Sequence, residues 1–200
     1  MNTVVELTGV ALAALLAENF VLVSCMDIGT HTRAFEDPID SLRTGYCLTV
    51  VMVLGTFFTW CIDNWIFANH RGQHFRLFVF ALLIPAMVWL LRKFLLHCVP
   101  ELSRRIDEHL ASISTNCAAL GCALLVSQRS YDLITALTFA LFGGVGVTVA
   151  LTSFTNLMGE ANLKHCPECF RGVPITLVAA SIVALAFFGF AGVVENLLAV

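Results

Sequence analysis

Long apolar runs separated by short polar segments form the hydrophobic pattern of this chain. A helix needs about 20 mostly apolar residues to cross the hydrocarbon core of a bilayer. Six runs approach that length, and the segments between them hold most of the charged residues. The pattern therefore predicts six transmembrane helices. They are Val4–Met26, Gly45–Phe67, Phe75–Leu91, His109–Val126, Leu133–Leu151 and Val173–Leu198.

Composition places the whole chain in the membrane. Hydrophobic residues make up 58% of its 200 residues and charged residues only 12%, with a mean hydropathy of +0.87. Soluble domains are about half apolar and a quarter charged, and six crossings leave no length for a soluble domain. The prediction is one all-α integral membrane domain over residues 1–200. The net charge of -3 supplies no basic face, which excludes nucleic acid as a partner.

An inverted repeat is predicted from the number of spans. Two halves of three spans each, about residues 1–100 and 101–200, enter the membrane in opposite senses, as in many transport proteins. The first and fourth spans are then equivalent, and each carries an Asn beside a Cys-bearing apolar run. Because broken helices at equivalent positions mark the midplane site in such proteins, helices 1 and 4 are predicted to be discontinuous. The pairs are Asn19 with Cys25 and Asn116 with Cys117.

Lysine and arginine residues predict the orientation. Cytoplasmic loops carry an excess of these residues, and eight of the eleven lie in the loops after spans one, three and five. The other side has only Arg71, Arg76 and Arg129. The chain is therefore predicted to be a multi-pass membrane protein with both termini on the side opposite the cytoplasm.

Two thiols inside apolar runs are the candidate chemistry. A thiol packs as a small hydrophobe, so packing is one interpretation of Cys25 and Cys117. Metal ligation is the other, because four thiolates hold a [2Fe-2S] cluster. One Cys from each half of the chain supplies two of them, and a homologous partner chain supplies the rest. Low solvent access in the membrane then helps to set the reduction potential of the cluster.

Three other side chains in the predicted spans have two interpretations each. Glu18 and Asp63 are candidates for an ion path, because carboxylates in a membrane are costly and often functional. The second interpretation is that these two carboxylates are buried hydrogen-bond partners for Asn side chains or backbone groups. Cys122, one turn beyond Cys117 and on approximately the same face, is either a packing residue or a reserve ligand.

Two further motifs have simpler interpretations. The segment His165–Cys169 places a Cys-x-x-Cys pair and a His in a predicted cytoplasmic loop, where they bind zinc, form a redox pair or are ordinary loop thiols. The glycines Gly143, Gly144 and Gly146 are predicted to let neighbouring helices approach closely.

Five short segments spread over nearly the whole chain carry a family resemblance. They are residues 18–23 (ENFVLV), 60–65 (WCIDNW), 114–121 (STNCAALG), 170–172 (FRG) and 186–192 (AFFGFAG). Together they resemble the RnfA/RsxA family of membrane subunits of Rnf-type ion-translocating electron transport complexes, which include ferredoxin:NAD oxidoreductases and the SoxR-reducing system. The Thr-Asn-Cys-Ala run is the most specific part. The NqrE subunit of the sodium-translocating NADH:quinone reductase is similar, but residues 119–125 (ALGCALL) and 170–172 favour RnfA.

The resemblance implies a six-helix subunit that shares an intramembrane [2Fe-2S] cluster with a homologous, RnfE-like partner. Cys117 matches the family's ligand in helix 4. The family's ligand in helix 1 falls on Gly29 by gapless counting, and Cys25 lies one helical turn earlier. Either Cys25 still reaches the iron, Cys122 replaces it, or the cluster is lost. Relatives also have a proline ahead of the helix-4 motif where this chain has Ala111, so the helix break is less enforced here.

The resemblance also implies that Asn19 and Asn116 hold unwound backbone or donate hydrogen bonds to cluster sulfurs. Nicotinamide and flavin sites are expected in other subunits of the complex, because no Gly-rich dinucleotide loop occurs in this chain. Two other functions remain open. One is a cofactor-free secondary transporter with Glu18, Asn19, Asp63 and Asn116 along its path. The other is a purely structural role, in which neither Cys117 nor the acidic residues take part in electron transfer.

Overall fold

The computed structural model describes residues 2–17, 38–66, 73–98, 117–163 and 173–198. All regular secondary structure in these residues is helical, and no strand occurs among them. Six helices follow one another and are numbered in chain order. They are α1 (Asn2–Leu12), continued by a π-helical segment (Ala13–Ala17), α2 (Pro38–Ile66), α3 (Gln73–Cys98), α4 (Cys117–Gln128), α5 (Leu133–Leu163) and α6 (Val173–Leu198).

Each helix overlaps one of the six predicted spans. By length and composition, α2 and α5 each contain a stretch able to cross a membrane, Ser41–Trp65 and Leu133–Leu157, while α4 and α6 contain shorter apolar stretches. Helix α3 runs through Pro85 without interruption, which a membrane helix tolerates when its surroundings satisfy the carbonyl that proline leaves unpaired. The prediction of an all-helical protein is confirmed.

Helix 1 changes from α to π geometry at Ala13. Such π-helical turns are rare, and they occur frequently at functional sites. The carbonyl oxygen of Leu15 lies against Gly146 of α5, where a Cβ atom built on the glycine would be only 2.6 Å away. The predicted packing role of Gly146 is thereby confirmed. Residues 18–37 and 101–116 lie outside the described part of the chain, so the discontinuities of helices 1 and 4 stay predictions.

Helices α2 and α5 form the most extensive contact between described elements. Residues further along α2 meet residues earlier in α5, so the two helices are antiparallel. At one end, the hydroxyl oxygens of Ser41 and Thr155 lie 2.6 Å apart in buried surroundings. The pair forms much of the main hydrophobic core. Its fully buried side chains include Leu48, Val51, Met52, Phe139 and Val147.

The closest approach of α2 and α5 uses the same motif in both helices. A Cβ atom built on Gly45 would lie 2.6 Å from Cγ2 of Thr148, and one built on Gly144 would lie 2.7 Å from Cγ2 of Thr49. Each threonine donates its hydroxyl to the carbonyl of the glycine four residues earlier, at 2.8 Å in α2 and 2.9 Å in α5. We call these four residues the Gly-Thr clasp. They confirm the predicted packing role of Gly144.

The remaining helices surround this pair in a regular pattern. Helix α2 also contacts α4 and α3, while α5 contacts helix 1 and α6. Helix α3 touches α4, and the π-helical segment of helix 1 touches α6. Exchanging helix 1 with α4, α2 with α5 and α3 with α6 converts these contacts into one another. The exception is the contact of α4 with α5, which has no equally extensive counterpart between helix 1 and α2 in the described residues.

A Schellman motif ends α4. The N–H of Tyr131 donates to the carbonyl of Val126, and the N–H of Ser130 donates to that of Ser127, both at 3.3 Å. This is the pair of bonds that satisfies the last carbonyls of a helix when the chain turns through the left-handed region. Ser130 occupies that region with a φ of 51°. The turn fixes the end of α4 next to the start of α5.

Candidate functional site

Cys117, the predicted helix-4 ligand, is one of the exposed cysteines in the described part of the chain. It is the first residue of α4 and is exposed, whereas Ala118 and Ala119 after it are buried. Leu120 and Leu124 follow three and seven residues later and are only partly buried. Because residues at this spacing share one side of a helix, we call Cys117, Leu120 and Leu124 the outer stripe of α4.

The position of Cys117 along α4 gives its depth in a bilayer. Ser127 lies ten residues further along, which is about 15 Å on a helix. Ser127 contacts the charged side chain of Asp63 near the end of α2. If the Asp63 end of α2 marks one boundary of a hydrocarbon core about 30 Å thick, a thiol about 15 Å away along α4 would lie near its centre.

Cys122, the reserve ligand, lies on a different side of α4 from Cys117. Its side chain is fully buried, and its Sγ lies 3.6 Å from Oγ1 of Thr56 on α2. The expectation that the two thiols share a face is wrong, because five residues advance a helix by about 500°, which leaves them about 140° apart.

Asp63 joins three helices near one end of the bundle. Its Oδ1 lies 2.8 Å from Nη2 of Arg76 on α3, and its Oδ2 accepts a hydrogen bond of 2.8 Å from the hydroxyl of Ser127 on α4. The side chains of Arg76 and Asp63 are 20% and 19% exposed, respectively. The contact pairs a carboxylate with a guanidinium of opposite charge and links α2 to α3. The ion-path role of Asp63 stays a prediction.

Sequence reasoning missed the partners of Asp63. It offered Asn side chains and backbone groups, whereas the structure shows Arg76 and Ser127. A usable signal was present for Arg76, because a carboxylate within a span needs a counter-charge and this arginine begins the next span. Ser127 gave no such signal, since a serine in a membrane helix usually bonds within its own helix.

Trp60 adds a further link near Asp63. Its Nε1 donates a 3.0 Å hydrogen bond to the carbonyl of Tyr131 in the turn after α4. The guanidinium of Arg129 donates to the Tyr131 hydroxyl at 3.0 Å and lies 5.9 Å from the ring centroid of Phe139. The end of α4 is therefore tied to α2 by its turn as well as by Ser127.

Several predicted site residues lie outside the described residues, and their roles stay predictions. Among the side chains that are described, no three His, Cys, Asp or Glu residues come together in a way that could hold a metal ion. Cys117 is therefore the predicted ligand whose geometry the structure supplies, and the described part of the chain offers no complete ligand set. The predicted residues outside it are Glu18, Asn19, Cys25, Gly29, Asn116 and the segment His165–Cys169.

Residues 7–194 match the protein family described as "Rnf-Nqr subunit, membrane protein". The chain belongs to this family. The match covers nearly the full length, so each of the six described helices lies wholly or partly within it. The resemblance that the five sequence segments carry is thereby confirmed at the level of the family.

Relatives within the Rnf-Nqr family agree on one type of protein, which bears the name of the A subunit of the ion-translocating oxidoreductase complex. The chain is 33% identical over 187 residues to the protein of this name from Syntrophotalea carbinolica, covering 94% of this chain and 97% of the relative. It is 30% identical over 181 residues to the one from Pectobacterium atrosepticum, covering 90% and 94%. The one from Azoarcus sp. is 27% identical over 185 residues, covering 92% and 96%. The likeness to RnfA is thus confirmed.

Proposed function

We propose that this chain is the A-type membrane subunit of an ion-translocating electron transport complex of Rnf type. Its specific role is to relay electrons within the membrane through a [2Fe-2S] cluster shared with a homologous, RnfE-like subunit. The family membership and the names of the relatives support the first part. The observation that supports the second is the exposed thiol of Cys117 on α4, about 15 Å along the helix from the contact between Ser127 and Asp63.

Cys117 has the properties that a shared ligand requires. Iron–sulfur clusters are held by cysteine thiolates. A ligand that shares a cluster with a partner's cysteines must be exposed on the surface of its own chain. Cys117 does so, whereas Cys122 is enclosed between α4 and α2. Cys25 is the second ligand in this proposal, with Asn19 and Asn116 supporting the ligand segments. When bound, such a cluster accepts and donates single electrons at a depth that water does not reach.

The outer stripe of α4 is the surface for the homologous partner. A lipid-facing cysteine gains nothing from its position, whereas a cysteine in a subunit interface can meet a second pair of thiols. Leu120 and Leu124 pack partly against the chain's own core, and the part of each that stays exposed extends the apolar surface along the same side of the helix. Flavin and further iron–sulfur centres belong to other subunits of the complex.

Helix contacts support the inverted repeat of residues 1–100 and 101–200. Exchanging each helix with its counterpart three positions later reproduces the contact pattern described above, apart from the contact of α4 with α5. The Gly-Thr clasp follows the same rule, because Gly45 and Thr49 recur as Gly144 and Thr148, each 99 positions later. Under this repeat, helix 1 and α4 are counterparts, which places one ligand in each half.

The proposed orientation in the bacterial inner membrane puts both termini in the periplasm. Arg76 and Arg129 then lie at the periplasmic end of the bundle with Asp63. Lys93 and Arg92 lie at the opposite end of α3, on the side that carries most of the Lys and Arg residues. This distribution follows the excess of positive charge in cytoplasmic loops.

Electron paramagnetic resonance of the purified, reduced complex tests the cluster, together with its iron and acid-labile sulfide content. The Cys117→Ser variant is expected to lose the [2Fe-2S] signal and the matching iron. Cys61→Ser is the matched control, because Cys61 is also exposed but lies on α2, and it should keep both. A full signal in Cys117→Ser refutes the ligand assignment, and a wild-type complex without such a signal refutes the shared cluster. Cys25→Ser tests the second ligand in the same way.

A further inference from the structure

Two polar contacts, one buried and one partly buried, connect α4 to α2. Near the middle of the helices, the Sγ of Cys122 meets the hydroxyl of Thr56 at 3.6 Å. Five residues further along α4, the hydroxyl of Ser127 donates to the Asp63 carboxylate at 2.8 Å. Both contacts advance in the same direction along the two helices, so α2 and α4 run parallel to each other at this interface.

The two contacts determine how α4 is rotated about its own axis. Cys122 and Ser127 are separated by about 140° around the helix, and both reach α2, so α2 lies between their directions. Cys117 is about 140° from Cys122 on the other side. It therefore points about 150° away from α2, in agreement with its exposure.

Apolar packing alone defines this rotation weakly. The buried residues of α4 nearest to Cys117 are small, namely Ala118, Ala119, Gly121 and Ala123. Small residues allow close approach in a membrane, but they present few protrusions that would lock one rotation. A hydroxyl paired with a carboxylate is more restrictive, because a partly buried carboxylate that loses its donor gives up a charge-assisted hydrogen bond.

We infer that Asp63 is a positioning residue for Cys117, acting through Ser127 and the rotation of α4. Arg76 neutralises the carboxylate and fixes its place against α3. Because Ser127 bonds to this carboxylate, it fixes the rotation of α4. The rotation in turn sets the direction of the Cys117 thiol, about 15 Å along the helix. This inference rests on the proposed function, since it assigns Asp63 a role in presenting a cluster ligand to the partner subunit.

Site-resolved alkylation tests the inference without requiring a cluster. The full-length chain in detergent is treated with N-ethylmaleimide, and mass spectrometry gives the labelling rates of Cys117 and Cys122. In the wild type, Cys117 should react and the buried Cys122 should not. In Ser127→Ala, the ratio of Cys122 to Cys117 labelling should rise about tenfold, the population change that a hydrogen bond to a charged group sustains.

Two variants control this test. Ser127→Thr keeps the hydroxyl and should restore the wild-type ratio. Ser181→Ala removes a hydroxyl that bonds only to the Val178 carbonyl of its own helix α6, and it should leave the ratio unchanged. If Ser127→Ala does not fold, Thr56→Val removes the other contact at nearly constant volume and should also raise the ratio.

The spectrum of the reduced complex separates this inference from the proposed function. In Ser127→Ala, a retained [2Fe-2S] signal with shifted g-values supports the positioning role, and Ser127→Thr should return them to wild-type values. Unchanged g-values and an unchanged labelling ratio in Ser127→Ala overturn the inference while leaving the cluster intact. A wild-type complex without any cluster signal overturns the proposed function, and the labelling ratio still decides whether Asp63 and Ser127 orient Cys117.

Discussion

The hydroxyl oxygens of Thr49 and Thr148 lie 3.4 Å apart where α2 and α5 approach most closely. Each threonine has one hydroxyl proton, and each uses it in a shorter bond to the carbonyl of its own glycine, Gly45 or Gly144. The contact between the two oxygens is therefore a packing contact with little hydrogen-bond character. It follows that the space left by the glycines, rather than a bond between the threonines, determines how closely the helices approach.

Replacing Gly144 with Ala should destabilise the protein by about 1 to 3 kcal/mol, the usual cost of overpacking. The added methyl group would lie 2.8 Å from the Cα atom of Thr49, so the backbones of α2 and α5 must separate. Thermal unfolding in detergent measures the effect. Gly189→Ala on α6 is the matched control, because nothing lies within 4 Å of its added Cβ, and it should be neutral or stabilising by up to about 1 kcal/mol.

In the Gly-Thr clasp, removing the threonine side chain should relieve the clash of an added Cβ atom at Gly45 more fully than at Gly144. The three atoms nearest to a Cβ on Gly45 all belong to the side chain of Thr148. Gly45→Ala should therefore regain most of its lost stability when combined with Thr148→Gly. Gly144→Ala combined with Thr49→Gly should recover less, because a backbone atom of residue 49 remains too close. Equal recovery in the two double variants, measured by thermal unfolding, contradicts this geometry.

Ser130→Gly should stabilise the chain. Ser130 turns the chain at the end of α4 with a φ of 51°, a conformation that costs a residue with a Cβ atom about 1 to 2 kcal/mol. Glycine avoids this cost but gives up part of the gain through the greater entropy of its unfolded state, so the net change should be about 0.5 to 1 kcal/mol. Ser130→Ala keeps the Cβ atom and should show no such gain in the unfolding midpoint.

Asp63 and Arg76 should show strong coupling in a double-mutant cycle. Arg76→Gln leaves a largely buried carboxylate without its counter-charge, which should cost about 2 to 3 kcal/mol. Adding Asp63→Asn removes that charge, so the double variant should be more stable than Arg76→Gln alone, with a coupling energy of about 1 to 2 kcal/mol. Denaturation of all four proteins gives the coupling energy. Additive effects imply that the pair behaves as an exposed one.

Trp60→Phe should cost about 1 kcal/mol, the ordinary value of one hydrogen bond. The substitution removes the indole N–H that donates to the Tyr131 carbonyl, while most of the apolar ring remains. Trp65→Phe provides the comparison, because Trp65 lies five residues further along α2 and is 91% exposed. It should leave the unfolding midpoint nearly unchanged, and an equal loss in both variants would argue against the bond to the turn.

Cys122→Ala should leave the iron and sulfide content of the complex unchanged. The thiol is buried against Thr56 on the side of α4 that faces α2, so it does not reach the surface where a partner contributes ligands. Loss of the sulfur should reduce stability by about 1 kcal/mol through a small cavity. Loss of the cluster from this variant, but not from Cys25→Ser, would identify Cys122 as the replacement ligand.

Local features of this chain are predictable from its sequence, whereas pairings between helices are not. The spans depend on the length of apolar runs, and the helices accordingly overlap all six predictions. Close packing at Gly144 is predictable because small residues serve that purpose in membranes. Its partner Thr49 is not, since the register between α2 and α5 depends on side chains about 100 residues apart.

The candidate site shows the same division. Cys117 can be found from its motif, but its exposure follows from which residues of α4 contact α2. The prediction that Cys122 shares the face of Cys117 is wrong because a spacing of five residues exceeds one helical turn, which contains 3.6. Arg76 and Ser127 escape prediction as partners of Asp63 because each lies on a separate helix, brought to the carboxylate only by tertiary packing.

The alternation of glycine and threonine in the clasp has a consequence for assembly of the bundle. If α2 slid along α5 by one turn, Thr49 would stand opposite Thr148, so that two branched side chains would compete for a space that holds one. If α2 slid by one turn in the other direction, Gly45 would stand opposite Gly144 across an unfilled gap, with the loss of contacts that such gaps bring. Of these alignments, only the observed one avoids both penalties. The clasp therefore favours a single register when α2 and α5 pack together.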